Sequence, residues 1–208
     1  MKPTLRFEKM TFRGSHLGPA ATVPPLLPEH VIQNQLQFQL SEYEEIFEGY
    51  GTLATSYPYR QRDGYNRELT TVEYEVAILE NDFLRATFII DLGGRLWSLV
   101  DKRRNRNLLY TNDVIRFSNL SSRNAWFSGG VEWNIGIIGH SPFTCERIFA
   151  ARFERGDGLP VLRLYEYERI RGVQFQIDCF LEEDDTFLNC RMKIVNRGGE
   201  VLPMYWWS

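Results

Sequence analysis

A glutamate and a histidine, eight positions apart in the glycine-rich segment 126–140, are the residues best suited to acid/base chemistry in this chain. The fifteen residues of the segment also include four glycines and two tryptophans. Glycine weakens a helix or strand by roughly 0.5–1 kcal/mol relative to alanine. This density therefore predicts backbone that bends tightly or lies close to another group. We interpret the segment as a site, with Glu132 and His140 as its catalytic pair.

The residues around Glu132 predict a polar face on an extended strand. Side chains alternate along a strand, so Glu132 shares a face with Asn134 while Trp133 points away. A carboxylate and an amide on one face suit the hydroxyl groups of a sugar, and Asn134 is therefore a candidate for substrate binding. The apolar neighbours of Glu132 are expected to raise its pKa toward a value useful in acid/base catalysis. The alternative is a structural carboxylate paired with an arginine.

His140 is the stronger catalytic candidate of the two. The ordinary pKa of histidine, about 6.5, lets the side chain accept or donate a proton near neutral pH. The alternative is a histidine that is simply hydrogen bonded within its loop. The three histidines, at positions 16, 30 and 140, show no paired ligand spacing. The sequence therefore predicts neither a metal site nor another cofactor.

Arg95 and two tryptophans complete the set of candidate substrate-binding residues. Arg95 follows a pair of glycines and could reach a sugar hydroxyl or a phosphate, although a salt bridge to a nearby carboxylate is the stronger interpretation. Tryptophan rings offer flat apolar faces that suit either a sugar ring or a protein core. Because Trp126 and Trp133 both lie in the glycine-rich segment, at least one of them is expected to line the pocket.

Length and composition indicate one globular domain, or most of one. The chain has 208 residues, 43% of them hydrophobic, and a formal net charge of −3. This balance argues against intrinsic disorder and against a nucleic-acid surface, and the basic run 102–106 is interpreted as a solvated hairpin tip. We find no secretory signal and no apolar run of the ~18 residues that a membrane-spanning helix requires. The sequence predicts a cytoplasmic protein without nucleic-acid or membrane partners.

From about residue 74 the sequence predicts antiparallel β-structure, with period-two alternation and turn residues between the strands. The hairpin 173–194 places Cys179 and Cys190 on its apolar face, where they are expected to be cross-strand neighbours. We expect all three cysteines, including Cys145, to be free buried thiols rather than disulfides. The predicted strands are 74–80, 83–90, 95–100, 107–110, 160–169, 173–181, 188–194 and 201–207.

The first 73 residues differ from the rest and predict an extension packed on the sheet, which divides the chain into 1–73 and 74–208. Alternation predicts a strand over 36–40, and Ser41 with Glu44 forms a capping box for a short helix that ends near Gly49. The segments 19–28 and 57–65 are interpreted as loops. The apolar ending of the chain predicts an N-terminal piece of a longer protein. Its open strand edges are expected to cause either self-association or a rearranged fold.

Four motifs carry a resemblance to a known superfamily: 92–99 (LGGRLWSL), 124–134 (NAWFSGGVEWN), 139–140 (GH) and 203–208 (PMYWWS). Over roughly residues 55–208 the chain resembles the galactose-mutarotase-like superfamily, specifically its uncharacterised bacterial domain that often precedes tetratricopeptide repeats. The resemblance implies an all-β, mostly antiparallel β supersandwich that handles sugars, here incomplete and with an irregular N-terminal extension.

The resemblance also implies a carbohydrate ligand and an aldose 1-epimerase-like parent protein. His140 matches the histidine that faces the sugar ring, tryptophans near 205–207 stand where a second histidine is usual, and the usual glutamate base lies beyond Ser208. The fragment is therefore expected to be inactive by itself. One alternative is a noncatalytic sugar-sensing or scaffold domain. Another is a glycoside hydrolase or lyase that uses Glu132 as its acid with a second carboxylate ~5–10 Å away.

Overall fold

The computed structural model of the chain describes residues 2–26, 55–135, 139–202 and 206–208. All regular elements in these ranges are β-strands, and the paired strands are antiparallel. No helix long and apolar enough to span a membrane occurs among the described residues. The predicted strand 36–40 and the predicted helix 41–49 lie outside these ranges.

Eleven strands follow one another along the described chain, and most of those predicted from residue 74 onward are present. They are β1 (Thr4–Gly14), β2 (Thr70–Glu80), β3 (Leu84–Ile89), β4 (Arg95–Asp101), β5 (Arg106–Asn107), β6 (Asn134–Ile135), β7 (Phe149–Glu154), β8 (Pro160–Glu168), β9 (Val173–Phe180), β10 (Asn189–Asn196) and β11 (Trp206–Trp207).

The first sheet has five strands in the order β1-β2-β3-β4-β5. Its β2–β3 turn is stabilised by Asn81, whose side-chain oxygen accepts hydrogen bonds from the backbone N–H groups of Phe83 (2.9 Å) and Leu84 (2.8 Å). The basic residues between β4 and β5 are exposed, which confirms that the run 102–106 is a solvated hairpin tip.

The second sheet has four strands in the order β10-β9-β8-β7. In β9 the buried side chains alternate with more exposed ones, as its period-two sequence predicts. Cys179 and Cys190 are paired directly across β9 and β10, and both are free thiols. Their predicted proximity is confirmed, but Cys190 is exposed, so the expectation that all three thiols are buried is wrong for this residue.

The central strands β2 and β3 of the first sheet are buried on both faces over most of their paired length, which explains the apolar run 76–79 in β2. Leu79 and Phe88 pack toward the second sheet, in a core that also contains Leu162 and Ile177. The opposite face packs against the segment between β5 and β6, through a second core that contains Val76, Ile78, Ile89, Ile115, Phe117 and Phe127. The glycine-rich segment is therefore attached to the sheet that supplies Arg95.

Two strands were not expected from the sequence. β1 pairs along its whole length with β2, so the N-terminal extension is less irregular than predicted. Its apolar residues change face, since Leu5 and Phe7 lie on one side of the strand while Met10 and Phe12 lie on the other, and period-two alternation is lost. β7 was also not predicted. The segments 19–28 and 57–65, predicted as loops, contain no strand in their described parts.

Candidate functional site

The backbone of the glycine-rich segment brings Glu132 beside β4. Leu96 and Val131 form an isolated antiparallel bridge, with N–H to carbonyl distances of 3.0 and 2.9 Å in the two directions. Gly130 precedes this bridge with φ = +67°, and a Cβ there would lie 2.4 Å from the carbonyl oxygen of Leu96. Glycine is therefore required at this position because of both its backbone conformation and the close contact.

Glu132 is the centre of the site, and its carboxylate accepts hydrogen bonds from five side chains. Oε2 accepts from Arg95 (2.8 Å), Trp126 Nε1 (3.0 Å) and the Thr144 hydroxyl (2.8 Å). Oε1 accepts from Asn134 Nδ2 (2.8 Å) and lies at hydrogen-bonding distance from His140 Nδ1. The structure thus brings together five of the six predicted site residues around one carboxylate.

The pKa of Glu132 is lowered, contrary to the expectation from its apolar neighbours. Burial raises the pKa, but the hydrogen bond with His140 and the positive charge of Arg95 outweigh it and lower the value to about 2. Glu132 is therefore a carboxylate at neutral pH. It is suited to orienting a neighbouring group rather than to donating a proton.

Arg95 lies behind Glu132, in the salt bridge that the sequence offered as the alternative to ligand binding. Its side chain is 3% exposed. The guanidinium also donates to the carbonyl oxygens of Phe127 and Gly129, both at 3.1 Å, and lies 4.0 Å from the centre of the Phe127 ring. These contacts fix the charge beside Glu132. Direct contact of Arg95 with a substrate stays a prediction.

His140 occupies the more accessible side of the carboxylate, with 25% of its side chain exposed. Since Nδ1 faces Glu132, the carboxylate favours the tautomer with a proton on Nδ1 and a lone pair on Nε2. The ring contacts two indoles in tilted arrangements, with centroid distances of 5.1 Å to Trp126 and 5.3 Å to Trp207. Among the described residues, none forms a hydrogen bond with Nε2, which is thus the atom suited to accepting a proton from a ligand.

The side chains of Trp133 and Asn134 point to opposite faces of the strand, as the strand geometry predicts. Asn134 shares the face of Glu132 and also accepts a hydrogen bond from the backbone N–H of Ser141 at 2.6 Å, which positions the loop that carries His140. Trp133 points away, donates to the carbonyl oxygen of Gly94 at 2.9 Å and stacks on Trp206. Of the two predicted tryptophans, Trp126 rather than Trp133 lies next to Glu132 and His140.

Two residues of the site were missing from the predicted set. Thr144 accepts a hydrogen bond from Arg95 at 2.7 Å while donating to Glu132, and nothing in its local sequence marks this bridging role. Trp207 reaches the site because β11 pairs with β6, opposite Asn134. The aromatic ending of the chain was a signal for Trp207, although it did not indicate which residue the ring would contact.

The sequence of the chain matches the model of a protein family. The model of DUF5107, a domain of unknown function, matches residues 52–208. The chain belongs to this family. The match includes all the side chains around Glu132, so the site lies within the DUF5107 domain.

The fold of this DUF5107 chain is also similar to a solved structure. A crystal structure of a TPR-domain containing protein from Parabacteroides distasonis ATCC 8503 matches with a TM-score of 0.70 and 22% sequence identity. The match covers 95% of this chain and 30% of that protein. At this identity the similarity establishes a shared fold alone, and this chain spans less than a third of the length of that protein.

Proposed function

We propose that this DUF5107 chain forms the carbohydrate-binding part of a galactose-mutarotase-like, sugar-processing protein. The observation that carries the proposal is the contact of His140 with Glu132 and with the indole rings of Trp126 and Trp207. Aromatic faces pack well against the C–H face of a sugar ring, and a histidine beside them can exchange a proton with a sugar hydroxyl. The galactose-mutarotase-like assignment itself rests on the four sequence motifs.

In this proposal, His140 Nε2 takes the proton from the anomeric hydroxyl of an aldose. Glu132 holds the Nδ1 proton and stabilises the positive charge that develops on the imidazole ring, as a buried carboxylate does for a catalytic histidine. Arg95, Thr144 and Asn134 keep Glu132 in place. The buried indole N–H of Trp207 has no hydrogen-bond acceptor among the described residues.

A noncatalytic sugar-binding domain is the second candidate. Mutarotation requires a group that removes a proton from the anomeric hydroxyl and another that protonates the ring oxygen. Glu132 has a pKa of about 2, so it is not an acid at neutral pH, and among the described residues of the site His140 is the side chain suited to proton transfer. The same low pKa argues against a glycoside hydrolase or lyase that uses Glu132 as its acid.

Measurements of anomer exchange and of sugar binding distinguish the enzyme from the noncatalytic sugar-binding domain. We would measure α/β exchange of a panel of aldoses by NMR with the full-length protein, and sugar binding by saturation-transfer NMR. His140→Gln is expected to abolish acceleration, whereas the control His16→Gln, at an exposed histidine, retains it. Binding without acceleration supports the noncatalytic candidate. Acceleration unchanged in His140→Gln, or no sugar binding by the wild type, would refute the proposed site.

A further inference from the structure

Cys179 and Cys190 form a close pair of thiols on the second sheet, away from the Glu132 site. They are opposite each other in the register of β9 and β10, and their sulfur atoms are 3.6 Å apart. Directly opposed residues in antiparallel strands have Cβ atoms about 4.5–5.5 Å apart, close to the separation of about 3.5–4.5 Å in a disulfide. Small adjustments of the side chains and strands would therefore bring the two sulfur atoms to the distance of a disulfide bond.

The two thiols have different environments. Cys179 is 0% exposed and belongs to the core between the sheets, whereas Cys190 is exposed on β10, the last strand of its sheet. Their shared hydrogen bond lowers the pKa of Cys190, while the same bond and burial raise the pKa of Cys179. An oxidant from solution therefore meets the more acidic and more accessible thiol first.

We propose that Cys179 and Cys190 are a reversible oxidation site, in which a peroxide oxidises Cys190 and Cys179 then closes a disulfide. The Cys190 thiolate attacks the O–O bond of hydrogen peroxide, which forms an S–O bond and releases hydroxide. The Cys179 sulfur attacks the resulting sulfenic sulfur, loses its proton and displaces the oxygen as water. In sum, two thiols and one hydrogen peroxide give one disulfide and two waters, with two electrons passing from sulfur to the peroxide.

The disulfide would tie β10 to β9. Among the described strands, β10 pairs with β9 alone and forms an edge of its sheet. A covalent link to β9 restricts the opening of this strand and constrains the unfolded chain. The oxidised protein is therefore expected to have a higher Tm and slower amide exchange in β10 than the reduced protein.

Peptide mass spectrometry after brief peroxide treatment tests the proposal. The reduced protein is treated with hydrogen peroxide, alkylated and digested, and the expected product is a Cys179–Cys190 cross-linked peptide pair that a dithiol separates. Cys145→Ser should leave this product unchanged, because Cys145 is buried elsewhere in the structure. Cys179→Ser should leave a sulfenic acid on Cys190 that a dimedone probe traps.

Three outcomes would overturn the proposal. The first is alkylation of both thiols after peroxide at the level of the untreated protein. The second is oxidation of Cys190 to the sulfinic acid in the wild type while Cys179 remains alkylatable. The third is a Cys190 disulfide between two chains instead of within one. Each is read from the wild-type protein and does not depend on the folding of a variant.

Discussion

His140 Nδ1 faces Oε1 of Glu132, and the other oxygen of the same carboxylate forms a buried salt bridge with Arg95. The Glu132 carboxylate thus links the buried guanidinium of Arg95 to the more accessible imidazole of His140. Of the three residues, only His140 has a quarter of its side chain exposed, compared with 9% for Glu132 and 3% for Arg95. The first predictions concern this connection.

Glu132→Gln is expected to destabilise the protein by roughly 3–5 kcal/mol, because it leaves the buried guanidinium of Arg95 without its counter-charge. Adding Arg95→Met should restore part of the lost free energy of unfolding. The double variant is then destabilised by less than the sum of the two single substitutions, and the difference is a coupling energy of about 0.5–3 kcal/mol. Urea unfolding of all four proteins measures the cycle. Strict additivity would show that the salt bridge does not couple the two residues.

The fold was predictable from the sequence where each strand has one consistently apolar face. β9 is such a strand, since Val173, Phe175, Ile177 and Cys179 are all buried on one side. β1 was not predictable because its apolar residues change sides halfway along the strand, and pairing with β2 outweighs its own pattern.

The local part of the site was also predictable. The shared face of Glu132 and Asn134 follows from their spacing along extended backbone. Arg95 meets Glu132 over a separation of 37 residues, through the bridge between Leu96 and Val131, whereas Thr144 follows Glu132 by 12 residues. The direction of the Glu132 pKa could not be obtained from its apolar neighbours Val131 and Trp133. The groups that lower it are His140, Arg95 and Asn134, and their contacts with the carboxylate depend on the folded backbone.

The stability of the protein should depend on the ionisation of Glu132 in acid. Its pKa falls from the ordinary 4.5 to about 2 on folding, so its contribution is present above pH 4.5 and is lost as the pH falls toward 2. The shift corresponds to about 3 kcal/mol. Urea unfolding across this range should show a weaker pH dependence in Glu132→Gln than in the wild type. The exposed control Glu183→Gln should retain the wild-type slope, and an equal slope in Glu132→Gln would contradict the prediction.

Gly130→Ala should destabilise the protein by at least 1–2 kcal/mol, through its left-handed backbone and the contact of the new Cβ with the Leu96 carbonyl oxygen. A Cβ at Gly156 meets nothing within 4 Å, so Gly156→Ala is the matched control and should change stability little. Chemical unfolding measures both. Equal stabilities of the two variants would show that the backbone around residue 130 adjusts without cost.

Self-association through strand edges stays a prediction of the sequence. Among the described elements, β1 and β10 each form one edge of their sheet, with β5 and β7 at the opposite edges. Both β1 and β10 carry exposed charged residues, such as Arg6 and Arg191. Such charges oppose edge-to-edge pairing, so association is expected to be weak and dependent on concentration. Multi-angle light scattering over a concentration series measures it, and a constant monomer mass throughout would contradict it.

Asn81→Asp is expected to destabilise the protein by roughly 2–3 kcal/mol, because the β2–β3 turn uses both functions of the amide. The oxygen accepts from two backbone N–H groups of its own turn, while Nδ2 donates to the carbonyl oxygens of Glu182 and Asp185, each at 2.9 Å. Aspartate keeps the acceptor but places a buried charge against two carbonyl oxygens. Asn105→Asp, at the exposed hairpin tip, is the control. Similar urea midpoints for the two variants would show that the bonds between Asn81 and the second sheet contribute little.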